Sequence, residues 1–236
     1  MKKILFTFFF IIFGLTAIAQ TAIDFYNKGV EAETNKNYSI AINYYSKAIQ
    51  KNPRMKDAYL NRGSIKRSQE EDLYGALDDY NKAIQIDQNF SLAYVNRGNV
   101  KADLGDFRGA ILDYDKAISF NPYQSIFYNN RGRTKDKIEY YSGAVLDYNR
   151  AIEIDPKVDY YYINRGFSKD RLQDYYGAIS DYKQALKLNP NYADAYLKIG
   201  WSKYKMGDKE GACLAWSKAG ELGENTAYKT IREMCY

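Results

Sequence analysis

The 236 residues include no histidine, which removes both the commonest general base and the commonest metal ligand. Two cysteines, Cys213 and Cys235, are too few for a zinc site of the usual ligand count. No Gly-x-Ser-x-Gly elbow and no phosphate-cradling glycine loop occurs. Carboxylates remain, but their pairs fall on recurring surface positions, where solvated charge accounts for them. A carboxylate-only glycosidase is formally open and nothing in the spacing selects it, so the chain reads as a non-enzyme with no cofactor and no metal. What the sequence offers instead is amides and cations at fixed intervals. Asn27, Asn61, Asn96, Asn130 and Asn164 recur in steps of 34 or 35 residues, and Lys198 takes the next step. An amide presents one acceptor and two donors, matching the C=O and N–H of a peptide backbone. Helical spacing places Tyr160, Arg133, Phe167, Trp201, Lys137, Arg171 and Lys205 on the same stripe toward the C-terminal end. Toward the N-terminal end the stripe carries Thr34, Asp57, Ser64 and Asp103.

The elements that position this stripe follow from the same period. Gly29, Gly63, Gly98, Gly132, Gly166 and Gly200 are spaced by 34 or 35 residues, which marks an array of stacked supersecondary units. Alanines keep the beat twelve and nineteen residues after the glycine, as at Ala144 and Ala151, with one residue inserted in the second unit at Ala76 and Ala83. All four prolines (Pro53, Pro122, Pro156, Pro190) close a unit. In the fourth unit Tyr128, Gly132 and Lys135 share one helical face, and Ala144, Tyr148, Ala151 and Ile152 share another. The break Ile138–Gly143 between them is too short for anything but antiparallel neighbours. Asn-Pro or Asp-Pro then ends the second helix, because proline cannot continue the ladder and biases its predecessor away from helix. Glycine inside a helix costs about 1 kcal/mol against alanine, so its recurrence implies that the second helix packs on bare backbone.

This pattern resembles the tetratricopeptide repeat family. Its large aromatic, Gly four later, Ala, aromatic, Ala and closing Pro stand in the third unit as Tyr94, Gly98, Ala110, Tyr114, Ala117 and Pro122. The resemblance implies an all-α, right-handed superhelical solenoid of antiparallel helix pairs. Six repeats span 22–224, at about 22–55, 56–90, 91–124, 125–158, 159–192 and 193–226, with a capping helix over 225–236 that hides the last apolar face. Gln88 and Glu224 stand in place of the closing proline, lysines in place of an aromatic three residues after the glycine, and the end from Ala212 is similar to a Sel1-type repeat. In such arrays the first helices line the concave surface, so the asparagines are expected as a row in the groove, similar to ladders that grip extended peptides by their backbone. The other reading is that these amides bond within the stack or hold the turn between repeats.

Comparing repeats separates frame from site. Counting the glycine as eight, position seven is Arg62, Arg97, Arg131 and Arg165 in the four middle repeats, and the same four carry Asp79, Asp113, Asp147 and Asp181 at position twenty-three. The last repeat has Ile199 and Ala215 instead. The co-occurrence predicts an ion pair between the two helices, shared with the lysine at position eleven. At the N-terminus, Lys2 and Lys3, the apolar run Ile4–Ile18 and Ala17-Ile18-Ala19 read as a secretory signal peptide over 1–19, cleaved near Ala19. The run is shorter than the ~20 residues of a membrane span, so the mature chain is read as exported, with no stable span. Without Lys2 and Lys3 the net charge of +5 becomes +3, too mild for a dedicated nucleic-acid binder. In an oxidising compartment Cys213 and Cys235 are expected to pair and pin the cap to the last repeat. The expected function is an exported scaffold holding an extended protein segment, with the segment's acidic side chains or C-terminal carboxylate over repeats four to six. Two other readings are a structural envelope subunit docking through its convex face and a glycan-binding module, since 25 tyrosines offer faces for sugars.

Overall fold

The computed structural model describes residues 20–69 and 71–236, and the leader read over 1–19 lies outside them. Every regular element among the described residues is an α-helix. Two compact units divide the chain, one ending at Phe120 and one beginning at Asn121. The first contains α1 (20–34), α2 (Tyr38–Lys51), α3 (Lys56–Gln69), α4 (Leu73–Ile86), α5 (Ser91–Asp103) and α6 (Phe107–Phe120). The second contains α7 (Ser125–Lys137), α8 (Tyr141–Ile154), α9 (Asp159–Arg171), α10 (Tyr175–Leu188), α11 (Ala193–Lys205), α12 (Lys209–Glu221) and α13 (Asn225–Met234). Within each unit consecutive helices pack as antiparallel pairs, and each pair packs on the next. The array is an all-α solenoid.

Turns inside the pairs are built from one residue in the left-handed region and one cap. Lys36, Glu139 and Gln173 have φ of 59°, 59° and 65°, a conformation that reverses the chain within three residues. Asp72, Asp106, Asp174 and Asp208 follow such turns, and each carboxylate accepts from the backbone N–H of the glycine three residues on, Gly75, Gly109, Gly177 or Gly211. A Cβ at those glycines would collide with the capping carboxylate. The break in the fourth repeat is therefore shorter than the stretch Ile138–Gly143 expected from sequence. Helix α8 starts at Tyr141, because the N–H of Ala144 already bonds to the carbonyl of Tyr140. At the far end, Asn52, Asp87, Asp155 and Asn189 stop their helices in or near an extended conformation while their N–H groups still reach back to an alanine carbonyl.

Inside each pair an aromatic ring packs directly against a glycine. Tyr45, Tyr80, Tyr114, Tyr148, Tyr182 and Trp216 face Gly29, Gly63, Gly98, Gly132, Gly166 and Gly200 so closely that no side chain fits between. The alanines of both series are fully buried, from Ala41 and Ala48 to Ala212 and Ala219. The other flank of the pair is closed by charge. Asp147 is 3% exposed and holds Arg131 Nε at 3.0 Å and Lys135 Nζ at 2.8 Å. Asp79, Asp113 and Asp181 hold Arg62 with Lys66, Arg97 with Lys101, and Arg165 with Lys169 in the same way. Cys213 on α12 and Cys235 beyond α13 are joined by a disulfide with Cα atoms 6.0 Å apart.

Two outcomes follow. Asp147→Ala strands two cations in a desolvated site and should cost about 3 kcal/mol in denaturant unfolding, whereas Arg150→Ala, which breaks the exposed pair with Glu153, should leave the midpoint nearly unchanged. Gly166→Ala places a Cβ 2.6 Å from the Tyr182 ring. The gain of about 1 kcal/mol in helix propensity is outweighed by overpacking of about 1–3 kcal/mol, so thermal unfolding should show a net loss.

Candidate functional site

The first helices of successive repeats touch one another: α3 meets α5 in the first unit, and α7 meets α9, which meets α11, in the second. They therefore make one continuous face in each unit, and the asparagine stripe lies along it. Asn27 is exposed; Asn61, Asn96, Asn130 and Asn164 are half-buried. The amide N–H groups are used inside the stack. Asn61 Nδ2 donates to the hydroxyls of Tyr26 and Tyr45 at 3.1 and 3.3 Å, Asn96 Nδ2 to Ser64 Oγ at 3.4 Å, and Asn164 Nδ2 to Asn129 Oδ1 at 2.9 Å. Asn129 also donates to Asn130 Oδ1 at 3.4 Å and is 1% exposed. The row thus knits neighbouring repeats with its donors, while the Oδ1 atoms of Asn61, Asn96 and Asn164 stay uncommitted to other described residues.

The second unit carries the cations and rings. Phe167, 39% exposed, meets Tyr141 edge-on with centroids 6.4 Å apart. Arg171 lies over the same Tyr141 ring at 5.2 Å and donates from Nε to its hydroxyl at 3.1 Å. Lys198, paired with Asp194 at 3.4 Å, stands 6.0 Å over Phe167. These four residues form one cluster on α8, α9 and α11. Lys205 lies 5.4 Å over Tyr175. Trp201 sits apart from the cluster, packed on Trp216 with centroids 5.0 Å apart. Arg133 and Lys137 are exposed on α7, and Tyr160 packs edge-on against Tyr161. Arg133, Lys137, Arg171 and Lys205 form no ion pair with any described carboxylate. In the first unit Asp103 is held by Arg67 at 2.8 Å, the Ser64 hydroxyl donates to the Leu60 carbonyl, and Asp57 is exposed.

Beneath this face lie two carboxylates that the sequence reading did not single out. Asp136 accepts from the Tyr148 hydroxyl at 2.7 Å and from the Ser168 hydroxyl at 2.6 Å. Asp170, 9% exposed, accepts from the Tyr182 hydroxyl at 3.0 Å and from Ser202 at 2.9 Å. Each bond from serine crosses from one first helix to the next. Burial pushes the Asp136 carboxyl above its ordinary value, against the two hydroxyl donors. The phenols of Tyr148 and Tyr182 are raised by burial first and by the neighbouring aspartate second. The signal in the sequence was a serine at position ten paired with an aspartate at position twelve of the preceding repeat, present only in Asp136/Ser168 and Asp170/Ser202.

Helix pairs stacked through glycine and alanine, with a polar and aromatic face on the first helices, define an α-helical repeat protein. Family profiles described as tetratricopeptide repeat or TPR repeat match residues 26–89, 92–124, 126–158, 171–207 and 194–221. The chain belongs to the tetratricopeptide repeat family, whose fold generally serves as a non-catalytic scaffold for protein interaction. Among solved structures it is similar to YrrB, described as a TPR protein with an unusual peptide-binding site, at 23% identity over 80% of this chain and 97% of that one, with a TM-score of 0.67. It is similar to MamA at 25% identity over 70% and 96%, with a TM-score of 0.65. It is also similar to pilF of Pseudomonas aeruginosa at 14% identity over 92% and 99%, with a TM-score of 0.78. No curated protein matches the sequence significantly. No helix among the described residues is long and apolar enough to cross a membrane.

Because the folded state holds the Asp136 proton to higher pH than the unfolded chain does, its contribution is present below the ordinary carboxylate value and is lost as pH rises through the folded value. Denaturant unfolding should therefore show wild type losing stability relative to Asp136→Asn across that window. A constant difference between the two proteins would mean that the carboxyl is not raised.

Proposed function

We propose that this protein is an exported scaffold that binds an extended protein segment along the face of its first helices, with acidic side chains of the segment over the second unit. One observation carries the reading. The frame neutralises its own cations, since Arg62, Arg97, Arg131 and Arg165 each grip a buried aspartate, while Arg133, Lys137, Arg171 and Lys205 are left without a carboxylate. Arg171 over the Tyr141 ring, next to the exposed Phe167, and Lys205 over Tyr175 are the chemistry of interface anchors. The uncommitted Oδ1 atoms of the asparagine row supply acceptors for backbone N–H groups of the segment. The peptide-binding site described for YrrB supports the same kind of use for the fold. Export rests on the charged, apolar and small-residue order of 1–19, and the disulfide is in keeping with an oxidising compartment.

The test is cross-linking capture from the cell envelope of the source organism with wild type and Lys137→Glu/Arg171→Glu as baits. Both side chains are exposed and neither holds an ion pair, so the variant should stay folded, losing only the Arg171–Tyr141 contact, about 0.5–1.5 kcal/mol. A protein captured by wild type and lost by the variant is the expected result. The same protein captured by both would move the interaction to the outer face of the second helices.

A further inference from the structure

In the middle repeats the arginine at position seven makes three contacts. Arg165 lies 5.7 Å over the Tyr162 ring, donates to both Asp181 oxygens at 2.9 and 2.6 Å, and reaches Asn149 on the preceding second helix at 2.8 Å. Arg97 repeats this with Tyr94, Asp113 and Asn81, and Arg62 with Tyr59, Asp79 and Ser46. In the last repeat every partner but the ring is exchanged. Arginine becomes Ile199, aspartate becomes Ala215, and the polar acceptor on the preceding second helix becomes Lys183. Tyr196 keeps the aromatic place with no guanidinium over it.

The corresponding place in the third repeat is a hollow of about 660 Å³ walled by Arg97 and Asp113; in the last repeat it is an open cavity of about 440 Å³ floored by Leu186, Tyr196, Ile199, Leu214 and Ala215. Its volume falls in the range of small-molecule sites, roughly 300–1,000 Å³. Lys183, Lys187, Lys203 and Lys218 rim it. Lys203 is held by Asp208 at 3.0 Å and Lys218 by Glu221 at 2.9 Å, but Lys183 and Lys187 meet no carboxylate. These two stand one helical turn apart on α10, on one face. Solvated lysines alone gain little from an anion, and an apolar floor alone fixes no orientation. Together they select a molecule with both characters.

We propose that this cavity binds a small amphiphilic organic anion, its apolar or aromatic body on Tyr196 and Ile199 and its acid group between Lys183 and Lys187. The site shares no residue with the cluster of Phe167, Tyr141, Arg171 and Lys198, so it stands or falls apart from the segment-binding reading.

The probes are 8-anilinonaphthalene-1-sulfonate, read by fluorescence on the intact chain, and decanoate as competitor below its micelle concentration. One dye should bind per chain and be displaced by decanoate but not by decyltrimethylammonium, which has the same tail with a positive head. Lys183→Asn/Ile199→Arg/Ala215→Asp rebuilds the contacts of Asn149, Arg165 and Asp181 and puts an ion pair into the apolar floor, and it should weaken dye binding at least about tenfold. Lys183→Glu/Lys187→Glu, confined to the exposed or half-exposed surface of α10, should weaken it similarly if the rebuilt variant does not fold. Lys137→Glu/Arg171→Glu should bind dye as wild type does. Absent saturable binding, equal binding by both pocket variants, or equal displacement by the cationic amphiphile would each overturn the proposal.

Discussion

The distance between the two helices of a repeat is set by a ring lying on bare backbone. Tyr182 against Gly166 and Tyr148 against Gly132 leave no unstrained room for a methyl group, so the helices sit as close as ring-to-backbone contact allows. Everything around that contact follows from it. Only alanine fits the neighbouring positions, which is why both alanine series are fully buried. The hydroxyl at the far edge of the ring is carried to where Asp136 or Asp170 can accept from it. The opposite flank is then near enough for one arginine to span to an aspartate on the partner helix. Ring, alanine and ion pair are one packing solution repeated along the chain.

Repetition also gives a ruler for reading departures. Where the frame needs charge it pairs it, Asp79, Asp113, Asp147 and Asp181 each holding an arginine and a lysine, whereas cations without a carboxylate stand on the first-helix face and on the rim of the last repeat. A chain built by copying one unit marks its special sites by failing to copy, as at Ile199, Ala215 and Lys183.

The helix pairs were readable from spacing because glycine, alanine and proline have steric roles that tolerate few substitutes. The pairs of arginine and aspartate were readable for a related reason: a buried charge requires its partner, so the two residues appear and vanish together. The asparagines recur along the first helices, and the donors of Asn61, Asn96 and Asn164 are committed to Tyr26, Tyr45, Ser64 and Asn129, a choice that depends on rotamers and not on spacing. The links of Asp136 to Ser168 and Asp170 to Ser202 were not seen, because a hydroxyl can be replaced by many residues and only two junctions use it. The glycines at Gly75, Gly109, Gly177 and Gly211 were overlooked for a different reason. They keep the 34-residue period, as Gly143 does between them, but answer to a capping carboxylate three residues away, a need local to the turn and not to the helix packing for which the period was read.

The serine links have a mechanical meaning. In the second unit Ser168 and Ser202 tie each first helix to the one before it, while Arg165 ties α9 to α10 and, through Asn149, to the preceding second helix. Neighbouring repeats are therefore braced on both sides of their stacking axis, as the two flanges of a beam are. Bending in either sense must stretch a hydrogen bond shielded from water. Such a beam gives up little internal motion when something settles on it, and strain applied at one end is handed to the next repeat instead of being absorbed at a hinge.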